Sequence, residues 1–162
     1  MTDAVKGLQA ALGYVFTDST VLERALTHRS AGPTHNERLE FLGDSVLSIV
    51  ISDNFYRRYP EATEGQLTRC RARLVRQETL ASVAQKLGLA DALTVGQAMG
   101  GRGGVDHPGV MADALEALIG AIFLDGGYAA VVSVVESVFA ELLADIAPQS
   151  INKDAKTALQ EL

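Results

Sequence analysis

Apolar residues recur every three or four positions along most of the chain, which is the spacing of helices that bury one face. The longest run ends at Tyr59-Pro60, and Thr34 and Glu37 before it have the spacing of a capping box. Its apolar positions are Leu39, Leu42, Val46, Ile49, Val50 and Phe55. No segment shows the alternation typical of a strand. The pattern therefore predicts an all-α fold with one long central helix starting near Thr34.

The second half of the chain has two further apolar-periodic segments. A helix is predicted from Val110 to Ile122, and Gly126-Gly127 separate it from a last helix that we expect to continue to Ile146. Glycine is frequent between Leu93 and Pro108, so that segment is predicted to be a loop with little regular structure.

Three carboxylates interrupt the beginning of the long apolar run. Glu37, Glu40 and Asp44 stand at i, i+3 and i+7, so on a helix their side chains lie within about 60° of one another. Anions on a helix that enters the core are unfavourable unless a cation or hydrogen-bond donors offset them. We therefore expect a divalent cation beside this stripe.

A second acidic pair occurs in the later helix. Asp113 and Glu116 are the only charges from Val110 to Ile122, and Gly120 continues their face one turn later, where another helix could approach closely. The pair could simply complement the dipole of a helix N-terminus, but its apolar neighbours make a solvated position unfavourable. Acids from two helices can instead form the all-oxygen site that Mg²⁺ prefers.

Other site chemistries fit these residues less well. A di-iron carboxylate bundle needs Glu-x-x-His on its helices, whereas Gly43 and Ile119 stand three positions after Glu40 and Glu116. The three histidines lack the spacing of a zinc hydrolase. Cys70 is the only cysteine, which excludes an intramolecular disulfide and a cysteine zinc cluster.

Composition indicates the class of protein, and the net charge argues against one class of partner. A chain of 162 residues with 48% hydrophobic and 21% charged residues is typical of one soluble globular domain. No stretch reaches about 18 uninterrupted apolar residues and no secretion signal is evident, so we expect no membrane partner and a cytoplasmic location. A net charge of −6 argues, taken alone, against a polyanionic partner such as nucleic acid.

Two motifs resemble those of the ribonuclease III nuclease domain. The stretch Asn36-Glu37-Arg38-Leu39-Glu40-Phe41-Leu42-Gly43-Asp44-Ser45 resembles the signature motif of that family, and residues 112–121 resemble its second acidic motif. The likeness continues in order over nearly all of residues 5–147. It implies the helical, dimeric fold of the ribonuclease III endonuclease domain for residues 1–148.

The resemblance also implies an activity. It is Mg²⁺-dependent hydrolysis of double-stranded RNA by a homodimer, leaving 5′-phosphates and short 3′ overhangs, with Mn²⁺ as a substitute metal and ribosomal and messenger RNA precursors as substrates. By position, Glu40, Asp44, Asp113 and Glu116 become metal ligands, and Asp44 and Glu116 the most directly catalytic residues. The alternative is a noncatalytic RNA-binding or assembly module on the same fold. Loss of an acid would mark that alternative, and all four acids are present.

The resemblance assigns roles to three further positions. Glu37 and Glu64 match accessory acids near the cleavage site, although a role at a helix start also explains both. Phe41 matches a residue at the dimer interface, whereas its spacing alone would make it a core residue.

Residues 149–162 resemble a linker and the opening of a truncated double-stranded-RNA-binding domain, with Ala155 in place of a frequent proline. Such a domain would supply much of the phosphate affinity that the acidic nuclease domain lacks.

Overall fold

The fold is built from helices packed around two long central ones. The computed structural model describes residues 2–99 and 102–148, and these residues form no β-strand. The helices are α1 (Asp3–Leu12), α2 (Ser19–Ala25), α3 (Glu37–Arg58), α4 (Glu64–Val75), α5 (Gln77–Lys86), α6 (Leu89–Ala92), α7 (Arg102–Val105), α8 (Pro108–Val138) and α9 (Ala140–Asp145). The all-α prediction is confirmed, and the predicted segment 149–162 lies outside the described residues.

The central helices α3 and α8 touch backbone to backbone. A Cβ atom on Gly43 would overlap the carbonyl oxygen of Glu116, and one on Gly120 would overlap the carbonyl oxygen of Leu39. Leu39 therefore lies beside Gly120 and Gly43 beside Glu116, so the two helices run antiparallel. The close approach predicted from Gly120 is confirmed. Farther along α3, Leu47 is fully buried and continues the core.

Helix α8 bends where the sequence predicted a break. Gly127 has φ 77° and ψ −175°, a conformation that an L side chain rarely adopts. Beyond the bend the helix ends at Val138, and α9 is separate, so the prediction of one helix as far as Ile146 was wrong. The buried ring of Phe139 lies at this second break, which the apolar spacing does not mark.

The expectation that no segment resembles a membrane span also needs correction. By length and composition α8 qualifies, since an 18-residue window in it has a mean hydropathy of 1.9. Core helices pass the same test, and 44% of that window is buried inside the fold. The absence of a membrane partner stays a prediction.

The start of α3 is fixed by packing, and the predicted capping box is wrong. Asn36 occupies the N-cap without a side-chain capping bond, and it is only 2% exposed. Its side chain donates to the carbonyl of Ala25 at 3.3 Å, and its backbone N–H donates to the carbonyl of Thr27 at 3.0 Å. Asn36 thus docks α3 onto the end of α2, and Glu37 becomes the first helical residue.

The glycine-rich segment after Leu93 has more structure than we predicted. It contains a 3₁₀ turn at Gln97–Met99 and the short helix α7. Before them, Thr94 forms an isolated parallel bridge with Thr27, and its backbone accepts from the N–H of His28 at 2.9 Å. This pairing ties the segment to the chain just before α3, at the edge of the acidic residues described next.

Candidate metal centre

Three of the predicted acids converge where α3 meets α8. Glu40, Asp113 and Glu116 each offer a carboxylate oxygen, and these oxygens lie within 4.8 Å of one another. Glu40 is in the first turn of α3, whereas the other two come from the beginning of α8. The contact between Gly43 and Gly120 makes this possible, because bulkier residues there would hold the helices apart. We call these three residues the acidic trio.

The fourth predicted ligand, Asp44, lies at the edge of the trio. Its side chain is exposed, and it does not belong to the group of mutually close oxygens. Its charge nevertheless contributes to raising the pKa of Glu116. The structure therefore brings three predicted ligands together and leaves Asp44 within electrostatic reach of them.

The electrostatics of the trio are unfavourable without a cation. Burial raises the pKa of Glu116 to about 8, and the charges of Asp44, Asp113 and Glu40 add to the rise. Burial also raises the pKa of Glu40 and that of Asp113. Crowded, partly buried carboxylates with all-oxygen donor atoms suit a hard divalent cation, whose charge would offset their repulsion. The donor set therefore fits a metal ion.

A cleft of about 640 Å³ opens beside the trio, with acids on its lining and basic groups among them. Glu37 lies at this cleft and accepts a hydrogen bond from the Arg29 guanidinium at 3.0 Å. The role predicted for Glu37 as partner of Thr34 is thus replaced by an ion pair. Glu37 lines the same cleft as Glu40 and Asp113, and its accessory role stays a prediction.

The structure separates the remaining two predicted residues from the trio. Glu64 begins α4 and accepts from the Thr68 hydroxyl at 2.8 Å. It lines a different groove, of about 730 Å³, together with Ile49 and Tyr56 of α3. Phe41 is 78% exposed on α3, so the reading of its spacing as a core position was wrong.

Two histidines at the cleft were missed because the sequence was searched for zinc spacing. His28 and His107 line the cleft with Asp113, and each caps a helical turn through Nδ1. Burial and the Arg29 charge lower the pKa of His28. Pro108, at the first turn of α8, marks His107 as a cap in the sequence, whereas only the bridge to Thr94 reveals the place of His28.

The chain is similar in sequence to known proteins. A family model described as Ribonuclease-III-like matches residues 18–143. Ribonuclease 3 of Bordetella avium strain 197N is 49% identical over 154 residues, covering 95% of this chain and 61% of the relative. Ribonuclease 3 of Thiobacillus denitrificans strain ATCC 25259 is 51% identical over 155 residues, covering 96% of this chain and 69% of the relative. The chain thus spans only part of the length of these relatives.

Solved structures match the fold as well. A nuclease domain of ribonuclease III from Campylobacter jejuni has a TM-score of 0.81 at 36% identity, covering 87% of this chain and 97% of that one. A second structure of that domain has a TM-score of 0.79 at 36% identity, covering 89% of this chain and 99% of that one. It is described as showing structural flexibility in a region involved in dimer formation. From the matched residues and these identities, the chain belongs to the ribonuclease-III-like family.

Proposed function

We propose that this chain is the nuclease part of a metal-dependent endoribonuclease that hydrolyses double-stranded RNA to 5′-phosphate ends with short 3′ overhangs. The observation that carries the proposal is the convergence of Glu40, Asp113 and Glu116, two of which, Glu40 and Asp113, also line the adjoining cleft. The relatives named Ribonuclease 3 support the same reaction class. Structured precursors of ribosomal and messenger RNA in the cytoplasm are the proposed substrates.

The acids have distinct roles in this proposal. Glu40, Asp113 and Glu116, with Asp44 at the edge, would hold Mg²⁺ or Mn²⁺. The bound metal supplies Lewis-acid stabilisation of phosphate oxygens and a water activated for attack. The chain itself contributes position, since the rigid contact of α3 with α8 fixes the spacing of the carboxylates. Asp44 and Glu116 are proposed as the most directly catalytic, with Glu37 as an accessory acid at the cleft.

A cleavage assay tests the proposal directly. The chain is incubated with duplex RNA in Mg²⁺, in Mn²⁺ and in chelator, and the ends of the products are analysed. We expect cleavage with either metal, none in chelator, and at least a hundredfold loss in Glu116→Ala, as for removal of a group that stabilises the transition state. Glu78→Ala, on exposed α5 surface, is the matched control. Equal activity of wild type and Glu116→Ala would contradict the site, and RNA binding without cleavage would favour the noncatalytic module.

We also propose that two copies of the chain associate through α3. Phe41, Ile49 and Tyr56 are two helical turns apart from one to the next, so they share a face, and all three are exposed. Large apolar side chains exposed along one helix face are typical of an interface. The groove between α3 and α4 adjoins this face. In a homodimer, Glu64 at this groove would face the second copy. It would then act as an accessory acid at the trio of that copy, because it lies apart from the trio of its own chain.

Light scattering during size-exclusion chromatography tests the dimer. We expect a dimer at micromolar concentration and at least a tenfold weaker dimer in Phe41→Ala, because truncating a buried aromatic anchor costs about 2 kcal/mol or more. Val15→Ala is the matched control, since Val15 is also strongly exposed but lies outside α3. A monomeric wild type, or equal weakening by both variants, would contradict the assignment.

The domain boundary is proposed from sequence likeness. Residues 1–148 would form the nuclease domain, and residues 149–162 would form a linker and the first residues of a double-stranded-RNA-binding domain. Extending the chain beyond residue 162 to complete such a domain should raise the affinity for duplex RNA and make it more dependent on salt. Unchanged affinity would contradict this boundary while leaving the nuclease assignment to its own assay.

A further inference from the structure

Two histidines cap helical turns at the cleft beside the acidic trio. His28 Nδ1 accepts from the backbone N–H of Ser30 at 3.2 Å, at the 3₁₀ turn Arg29–Ala31. His107 Nδ1 accepts from the backbone N–H of Gly109 at 3.2 Å, at the start of α8. The two rings come from distant parts of the chain, yet both line the same cleft.

Histidine is an unusual choice for a capping position. Serine, threonine, aspartate and asparagine are the usual caps, and this chain uses Thr2, Asp18 and Thr63 at other helix starts. Any of these residues would satisfy the same backbone N–H with fewer atoms. Histidine differs in having a second ring nitrogen. Its use at two places on one cleft therefore indicates a role for that nitrogen.

The capping bonds fix the position of the proton on each neutral ring. Because Nδ1 accepts a backbone N–H in both histidines, Nδ1 is unprotonated and Nε2 carries the hydrogen. At His28 the Ser30 hydroxyl lies 2.8 Å from Nδ1 and accepts from the Gly96 N–H, which leaves its own hydrogen available to donate to Nδ1. Within the described ranges, neither Nε2 donates to a protein group. Each ring thus keeps an N–H donor for a ligand.

The acidic lining of the cleft indicates which kind of ligand would need neutral N–H donors. A phosphate entering it meets Glu37, Glu40 and Asp113, while the Arg29 guanidinium is already paired with Glu37 at 3.0 Å. Neutral Nε2–H donors can bind an anionic oxygen without competing for the metal-binding carboxylates. Phosphate oxygens also receive most protein contacts that position a nucleic-acid backbone.

We propose that His28 and His107 bind nonbridging oxygens of RNA backbone phosphates in this cleft through their Nε2–H groups. The inference rests on the proposed function, because it takes RNA as the substrate. The imidazoles hold the strand against the trio, and their Nδ1 atoms keep the rings oriented. Both residues are therefore substrate-binding residues in addition to caps.

Binding of labelled duplex RNA tests the proposal in a Glu116→Gln background, in Mg²⁺ and low salt, so that the RNA stays intact. His28→Ser and His107→Ser retain a capping oxygen and remove the Nε2–H donor. We expect each to weaken RNA binding about tenfold, the value for one hydrogen bond to a charged group, with little change in Tm. His28→Gln and His107→Gln keep a donor on a longer side chain and should bind more tightly than the serine variants. Tyr128→Ser is the control, because it removes an exposed ring that does not line the cleft.

The outcomes separate this proposal from simpler explanations. Serine variants that bind RNA as tightly as their parent would show that the histidines are caps only, and would overturn it. Calorimetry of wild type and His28→Ser with Mn²⁺ should give equal metal affinity. A weaker metal affinity with unchanged RNA binding would mean that the ring only orients Asp113, and would also overturn the proposal. Absence of RNA cleavage by the wild-type chain in Mg²⁺ would refute the proposed function itself, and this outcome is distinct from a loss of binding confined to the serine variants.

Discussion

Two of the carboxylates on helix α8, Asp125 and Glu116, are in opposite electrostatic environments. Asp125 accepts hydrogen bonds from the Tyr14 hydroxyl at 2.6 Å and from the backbone N–H groups of Thr17 and Asp18 at 3.0 and 2.8 Å. These donors hold its pKa below the usual range. Glu116 accepts no hydrogen bond from the described residues, and its burial among other acids raises its pKa to about 8.

The difference separates an acid that stabilises the fold from an acid that awaits a ligand. Asp125 ties the loop between α1 and α2 to the bend of α8, so its charge is already used. The charge of Glu116 opposes folding unless something positive arrives, since unpaired anions are disfavoured away from water. A buried carboxylate that the protein leaves without hydrogen-bond donors or a positive charge is the stronger candidate for function.

Neutralising each acid should give the largest contrast. Glu116→Gln should lower the rate of RNA cleavage by about 10²–10³-fold without lowering Tm. Asp125→Asn should lower Tm and leave the rate per folded molecule nearly unchanged, because an amide cannot accept all three hydrogen bonds. Thermal melts and single-turnover cleavage measure the two effects. A large rate loss in Asp125→Asn at unchanged Tm would contradict the assignment of Asp125 to stability and of Glu116 to function.

Separating the two central helices should damage both stability and activity. Gly43→Ala places a methyl group against the backbone of α8, and overpacking at a rigid contact costs about 1–3 kcal/mol or more. Gly7→Ala is the control, since no atom lies within 4 Å of its Cβ position and the change should stabilise α1 by about 0.5–1 kcal/mol. Urea unfolding compares them. A Gly43→Ala protein as stable as wild type would show that the helices can move apart.

The metal-free protein should lose stability as pH rises from about 5 to about 8. The pKa of Glu116 rises from 4.5 to about 8 in the folded chain, so folding favours its protonated form. The stabilisation is complete below pH 4.5 and is lost as pH passes through the folded pKa. The total is on the order of 2–4 kcal/mol. Glu116→Gln should flatten the profile, and Mg²⁺ should stabilise wild type most at high pH. Superimposable profiles for the two proteins would contradict the raised pKa.

The smallest expected effect concerns one donor to Asp125. Tyr14→Phe should cost about 1 kcal/mol at pH 7, with unchanged RNA cleavage. Because the pKa of Asp125 is lowered, its stabilising contribution is present above its ordinary pKa and declines in acid. The difference between Tyr14→Phe and wild type should therefore shrink at low pH. A constant difference would show that packing of the ring, and not the hydrogen bond, is lost.

The sequence predicted features that depend on local spacing and missed features that depend on tertiary contacts. The acidic stripe that contains Glu40, the acidic pair on α8 and the glycine beside that pair all follow from helical periodicity, and the family motifs added the roles of the acids. The start of α3 was wrong because Asn36 is held by Ala25 and Thr27, which no local pattern shows. The position of His28 depends likewise on pairing with Thr94. The edge position of Asp44 follows from side-chain placement, which a shared helix face does not specify.

The contact between Gly43 and Gly120 also has a consequence for the order of folding. Helix α3 can form early from local interactions, but the contact requires closing a loop that contains α4 to α7, and such nonlocal closures are slow. Glu40 is synthesised well before Glu116 and has no partner ligand until α8 docks. The proposed metal centre therefore forms only after the core has assembled, so we expect incompletely folded chains to be unable to cut RNA.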